Sequence, residues 1–266
     1  MKVANKRNGY AEVNGLLMYY ESHGQGKPLV LIHGGGSTLN TTFANLIPPL
    51  SKYRQVIAMD LQAHGRTGDR PGDLSFEQDA DDIAQLLEHL NISQADFLGY
   101  SNGGHILVEI ALRHPKLVDQ MILVSTFYSR DAIAPKFWEG FNSVTPDMLP
   151  NVLKEGFLEV NNDQKALRNM FYKDVQRMKE FRGWSDRQIE SIRHPVLVIN
   201  GNEDVAPVKH AVTLYRTLPN AQLVILPGIH GASIGSAEAL KDGEWTQSYV
   251  LDILSDFLNK RLRATQ

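Results

Sequence analysis

The chain has 266 residues, enough for one large domain or one domain carrying an insertion. Hydrophobic residues make up 42% and charged residues 21%, the composition of a globular protein with a real core. A formal net charge of -3, from 27 Lys plus Arg against 30 Asp plus Glu, excludes a general attraction to nucleic acid or anionic membrane, and the lack of cysteine excludes disulfides, thiolate zinc sites and a cysteine nucleophile.

The N-terminus, Met1 to Tyr10, is polar and has no apolar core of signal-peptide length. No stretch approaches the roughly 20 apolar residues of a membrane span. A cytoplasmic location is expected, with export left open should a signal have been removed. Tyr10 to Val13, Asn14-Gly15 and Leu16 to Tyr20 read as a β-hairpin, because Asn-Gly suits a two-residue turn. Pro28 to Ile32 is a continuous apolar run, as in a strand covered on both faces. Thr42 to Ser51 reads as a short helix interrupted near Pro48-Pro49, and Gln55 to Asp60 as a buried strand ending in a carboxylate.

Ser75 with Gln78 predicts a capping box, and Phe76, Ala80, Ile83, Leu87 and Leu90 form one apolar helical stripe behind it. Ala95 to Tyr100 is a strand, Asn102 to Arg113 a helix that stops before Pro115, and Val118 to Ser125 a strand. Pro195 to Asn200 and Gln222 to Leu226 are two more strands, and Glu244 to Lys260 is an amphipathic closing helix. Strands alternating with helices predict an α/β domain: a mostly parallel sheet with helices on both faces. From about Thr126 to Arg193 no strand is evident. Helical patterns occur instead around Pro135 to Phe141, Asp147 to Val160 and Gln164 to Phe181. The expected division is a core of residues 1–126 and 194–266 with a helical lid insertion over residues 127–193.

Gly99-Tyr100-Ser101-Asn102-Gly103 lies between a predicted strand and a predicted helix. A turn that tight leaves no room for a Cβ two residues either side of the serine, and holds the serine strained with its hydroxyl projecting. The N–H of Asn102, at the helix start, faces a developing anion favourably. His33-Gly34-Gly35-Gly36 follows the strand Pro28 to Ile32, and its glycines let the backbone approach a substrate oxygen. It lacks the Lys-Ser/Thr ending of a nucleotide loop. The N–H groups of Gly35 and Asn102 are therefore the expected oxyanion hole.

A serine hydroxyl needs a base. His230, in a glycine-containing loop directly after the last strand, is the first candidate among nine histidines, and His64 is its rival. His23, His89, His114, His194 and His210 read as surface or cap residues, and His105 as a packing residue. The carboxylate that orients the base is expected at Asp204, after the strand Pro195 to Asn200, with Glu203 and Asp131 as alternatives.

Taken together these segments resemble the α/β-hydrolase superfamily, from about Tyr10 to Leu258. Asp60-Leu61-Gln62-Ala63-His64-Gly65-Arg66-Thr67 is similar to that family's D-x-x-G-x-G-x-S loop, with Ala63 in place of a glycine and Thr67 in place of a serine. The resemblance makes His64 a loop-forming residue and not the base. The polar stretch Ser236 to Gly243 departs from the pattern by its length. The resemblance implies a serine hydrolase, carboxylesterase-like, with Ser101, Asp204 and His230 catalytic and no metal or organic cofactor. Epoxide opening and halide displacement are disfavoured, since those members carry aspartate at the elbow. Esters, lactones, thioesters and some diketone carbon–carbon bonds remain as substrates. Acyl transfer to another alcohol and a triad-containing small-molecule receptor are the other readings.

The expected partner is a small, partly apolar ester-like molecule. Aromatics crowd the insertion: Phe127, Tyr128, Phe137, Trp138, Phe141, Phe157, Phe171, Tyr172 and Trp184. Most are expected to pack. Gly36, Tyr100, Phe127 and Trp138 are the expected substrate contacts.

Overall fold

The computed structural model describes residues 6–259. Eight strands form one sheet in the order β1-β2-β4-β3-β5-β6-β7-β8. Strands β1 (Arg7–Val13) and β2 (Leu16–His23) are the antiparallel hairpin, and β2 also lies antiparallel to β4 (Gln55–Met59). Asn14 and Gly15 turn with φ of 47° and 74°, both left-handed, as a tight twisted hairpin requires. The remaining strands, β3 (Pro28–Ile32), β5 (Ala95–Tyr100), β6 (Val118–Val124), β7 (Val196–Gly201) and β8 (Ala221–Leu226), run parallel. Parallel strands share one direction, so their C-terminal ends collect at one edge, where ligands bind in such sheets.

The side-chain period of two divides the core between the sheet's faces. Val30, Ile32, Ile57 and Phe97 pack on one side with helices α3 (Phe76–His89), α4 (Asn102–Arg113) and α9 (Val208–Thr217). Leu29, Leu31, Val56 and Leu98 pack on the other with α1 (Leu39–Phe43), α2 (Ile47–Leu50) and α10 (Val250–Asn259). Between β6 and β7 lie α5 (Pro135–Gly140), α6 (Asn151–Val160), α7 (Gln164–Glu180) and α8 (Asp186–Glu190), joined by short 3-10 turns. No helix of the described residues is long and apolar enough to cross a membrane.

Several local expectations change. The hairpin strands extend beyond Tyr10 to Tyr20, to Arg7 and His23. The helix expected over Thr42 to Ser51 is two short ones, the first capped by a Thr38–Thr41 box, the second opening at Pro48-Pro49 where missing N–H groups cost nothing. Ser75 caps α3 through the Gln78 N–H, but the Gln78 side chain turns away to Asp82, so the box is one-sided. The closing helix begins at Val250, not Glu244, because the polar segment before it forms turns; its expected end at Lys260 lies outside the described residues, as do Met1 to Asn5.

His23 and His210, expected at the surface, are buried: His23 bonds Glu21 at 2.7 Å, and His210 Nε2 accepts the Tyr128 N–H at 3.1 Å. Burial is the chief reason that His33 and His105 are pushed down to about 3 and His210 to about 4, against 6.5 for a free imidazole. These three rings fold neutral. Their contribution to stability is complete above about pH 6.5 and is lost as pH falls towards their folded values. His64, raised, pulls the opposite way but only at higher pH. Lowering the pH from 7 to 5 should therefore cost roughly 2 kcal/mol per neutral histidine, read as a lower urea midpoint at pH 5. The Asp79 carboxyl, pushed up to about 6, offsets part of this below pH 6, so the net loss is expected to be smaller than the three rings alone would give, and a midpoint no lower at pH 5 would contradict it.

Candidate active site

Ser101 follows β5 directly and N-caps α4. Its φ is 53° and ψ −120°, a left-handed conformation that a serine adopts only under constraint. The constraint comes from the close approach of backbone. A Cβ on Gly99 would stand 2.3 Å from the Gly103 carbonyl oxygen, and one on Gly103 would stand 2.1 Å from that of Ile32. With no side chain at either position, the strand turns into the helix at once and leaves the serine hydroxyl at the strand's end. Asn102, the first helical residue, has no partner within the helix for its N–H.

The strand ends bring three distant side chains together. His230 Nε2 lies 3.0 Å from Ser101 Oγ, and His230 Nδ1 lies 2.7 Å from Asp204 Oδ1. The carboxylate takes a proton-bearing Nδ1, so the neutral ring leaves Nε2 to accept from the hydroxyl. Asp204 is fully shielded, and its second oxygen accepts from Ser125 Oγ at 2.6 Å and from the Gly201 N–H at 3.3 Å. Burial alone raises this carboxyl, yet the imidazole of His230, Ser125 and the Gly201 N–H hold it below its ordinary value. The alternatives Glu203 and Asp131 are exposed.

A cavity of about 240 Å³ opens beside Ser101. Gly35, Gly36, Asn102 and His230 line it with Phe127, Phe137, Phe141, Leu149, Phe171, Asp174, Val175, Met178 and Val205. Tyr100 and Trp138, expected at the substrate, lie outside that lining. Strand alternation packs the Tyr100 side chain in the core with Leu98, where its ring sits 5.0 Å from that of His230 and its hydroxyl donates to Glu238 at 2.8 Å. On α5, Phe137 lines the cavity, as does Phe141 four residues on, so the Trp138 ring is rotated away. It stacks on Phe181 at 5.9 Å and donates to the Arg130 carbonyl at 3.0 Å.

Asp174 belongs to no motif of the sequence. From α7 this carboxylate reaches across 138 positions to accept the Gly36 N–H at 2.6 Å, and it bonds His64 Nε2 at 2.8 Å and Arg177. Arg177 in turn pairs with Asp79 at 2.6 Å. Four buried ionisable groups thus join α7 to α3 and to the loop after β4. Only its place on an amphipathic helix marks Asp174 in the sequence, since a lone aspartate there ordinarily faces solvent. Among the described residues no group of three or more histidine and carboxylate side chains is arranged to hold a metal ion.

A parallel sheet carrying a serine at a strand-to-helix turn defines a class, and the chain belongs to the alpha/beta hydrolase fold family, whose sequence model matches residues 27–161. It is 31% identical over 225 residues to a 2-hydroxymuconate semialdehyde hydrolase of Pseudomonas sp. (strain CF600), covering 75% of this chain and 78% of that protein. It is also 31% identical over 240 residues to the dihydrolipoyllysine-residue acetyltransferase component of an acetoin cleaving system of Pseudomonas putida. That match covers 82% of this chain, which spans only 62% of the longer protein. Among solved structures, the enol-lactonase from Burkholderia xenovorans LB400 superimposes with a TM-score of 0.76 at 23% identity, over 95% of this chain and 100% of that one; it shares the fold.

The turn makes a direct prediction. Gly103→Ala puts a methyl group into the backbone of β3, which cannot yield as a side chain can, and should lower stability by roughly 3 kcal/mol or prevent folding. Urea denaturation checks it; a midpoint unchanged from wild type would contradict the close approach.

Proposed function

We propose that the chain is a serine hydrolase that cleaves a carboxylic ester or related acyl bond through an acyl-enzyme. The observation that carries this reading is the continuous hydrogen-bonded line from Asp204 through His230 to Ser101 at the mouth of an apolar cavity. In the first step Ser101 Oγ bonds to the substrate carbonyl carbon while its proton passes to His230 Nε2. Asp204, already ionised, stabilises the imidazolium and keeps its orientation. The negative charge on the substrate oxygen is met by the N–H groups of Gly35 and Asn102, each donor of this kind contributing about 3 kcal/mol to the barrier reduction. Collapse expels the alcohol, which takes the proton from His230. Water then attacks the ester of Ser101 with His230 again as base, releasing the acid.

The helices of residues 127–193 act as a lid in this reading. They supply most of the cavity wall, with Phe127 and Gly36 against the acyl group. A volume of about 240 Å³ and walls of phenylalanine, leucine and methionine suit a small apolar acyl chain or ring. A second reading, hydrolysis of a carbon–carbon bond in a vinylogous diketone, is favoured by the 31% identity to the 2-hydroxymuconate semialdehyde hydrolase. Both use the same three side chains.

Ser101→Ala should reduce turnover of a short-chain aryl ester by at least about 10³-fold and abolish covalent labelling by an organophosphonate. Turnover retained in that variant would remove Ser101 from the role. Relative kcat/KM across simple esters and vinylogous diketones separates the two substrate classes.

A further inference from the structure

We propose that the Asp174 carboxylate is a positioning residue for the oxyanion hole: carried by α7, it fixes the Gly35–Gly36 peptide so that the Gly35 N–H faces the oxygen of an acyl group bound at Ser101. The proposal rests on the serine-hydrolase reading above.

Three successive glycines follow His33, and such a segment has more backbone freedom than any other. An oxyanion donor is useful only if its direction is set before the charge develops. Two peptide planes decide the direction of the Gly35 N–H. The first is the Gly34–Gly35 plane. His33 Nδ1 donates to the Gly34 carbonyl at 2.7 Å, and in a trans peptide the Gly35 N–H then points the opposite way. His33 is itself held by the Leu61 N–H, which donates to its Nε2 at 3.1 Å. The second plane, Gly35–Gly36, has no neighbour within its own loop to hold the N–H. Gly36 takes φ of 66°, and its N–H is bound at 2.6 Å by Asp174 Oδ2. The Ser37 hydroxyl also donates to the carbonyl of this plane, at 3.3 Å, but the shorter bond to a carboxylate is the stronger hold.

The carboxylate is fixed in turn. His64 is fully buried; its Nδ1 faces the Gln62 carbonyl at 2.8 Å and its Nε2 faces Asp174 at 2.8 Å. Both partners are acceptors, so both ring nitrogens carry hydrogen and the ring is an imidazolium. Burial opposes that charge, but Asp174 wins and raises the ring above its ordinary value. The same two cations, Arg177 and His64, hold Asp174 well below the carboxylate range against its own desolvation. An ion pair that served the fold alone would have no need of the Gly36 N–H, and both Gly36 and Asp174 line the cavity beside Ser101.

The test compares Asp174→Asn, which keeps the shape and removes the charge, with wild type, each normalised to the sites titrated by an organophosphonate. The probes are a short-chain aryl ester and a trifluoromethyl ketone, whose adduct with a serine carries an oxyanion. Expected are a fall in kcat of about 10- to 100-fold with KM within about twofold, and a matching loss of affinity for the ketone. His64→Gln, which still donates to Asp174 but carries no charge, should show the same pattern at smaller size, and decides the matter if Asp174→Asn fails to fold. A lower melting temperature with kcat and ketone affinity at the wild-type level would overturn the proposal and leave a structural ion pair. That result with an inactive Ser101→Ala sinks only the positioning role; an active Ser101→Ala sinks the reading beneath it.

Discussion

Between Gly99 and Gly103 the chain passes from strand to helix with no room for a side-chain carbon at either end. This crowding sets Ser101 in its left-handed conformation, lifts its hydroxyl clear of the sheet, and aims the start of α4 at the same point. The rest of the site is arranged around that fixed oxygen. The loops after β7 and β8 deliver Asp204 and His230 to it, and the loop after β3 brings up backbone donors. Each group is on a different loop, but all the loops leave one edge of a rigid parallel sheet. The positions of Ser101, Asp204 and His230 are therefore inherited chiefly from strand register, whereas the glycine loop after β3 takes further hold from His33, Ser37 and Asp174.

The central strands were legible because they are short continuous apolar runs bounded by turn residues, as a doubly covered strand requires. The serine, the histidine and the aspartate were legible because each follows such a run within a glycine-containing turn. What escaped depended on tertiary partners. The helix over Val208–Thr217 went unread because its buried face consists of His210, Ala211 and Leu214, a stripe too short and too polar to stand out. His23 and His210 read as surface residues, since their partners Glu21 and the Tyr128 N–H lend them burial that no local pattern shows. Trp138 was one of the lid aromatics expected as substrate contacts, and one helical step of rotation places it against Phe181, outside the cavity lining. Asp174 was invisible for the strongest reason: two of its partners, the His64 ring and the Gly36 amide, are far away in the chain, and the third, Arg177, is three residues on along the same helix.

The row Asp79, Arg177, Asp174 and His64 is an expensive way to attach a helix. Each ion loses its water, and the pairs only partly repay this; well-packed apolar groups of equal volume would often serve stability better. Burial even pushes the Asp79 carboxyl up to about 6 beside Arg177. What charges give that apolar contacts do not is direction, because a carboxylate with its lone pairs occupied can sit in one orientation only. Ala63 follows the same logic in miniature. It takes φ of 63°, where a glycine would be unstrained, but its methyl group packs with Phe157, Leu167 and Met170 of the overlying helices.

The polar ties are distributed unevenly over those helices. Asn169, Lys173 and Arg177 recur every fourth residue along α7 and are bonded to Asp69 and Asp79 of the core, so this side of the cavity is riveted. Elsewhere in the lining, Phe137, Phe141 and Leu149 offer hydrocarbon alone. Replacing those three by larger or smaller apolar residues disturbs no charge and no amide. That part of the wall can therefore change size by substitution alone, while α7 stays tied to the core by its salt links.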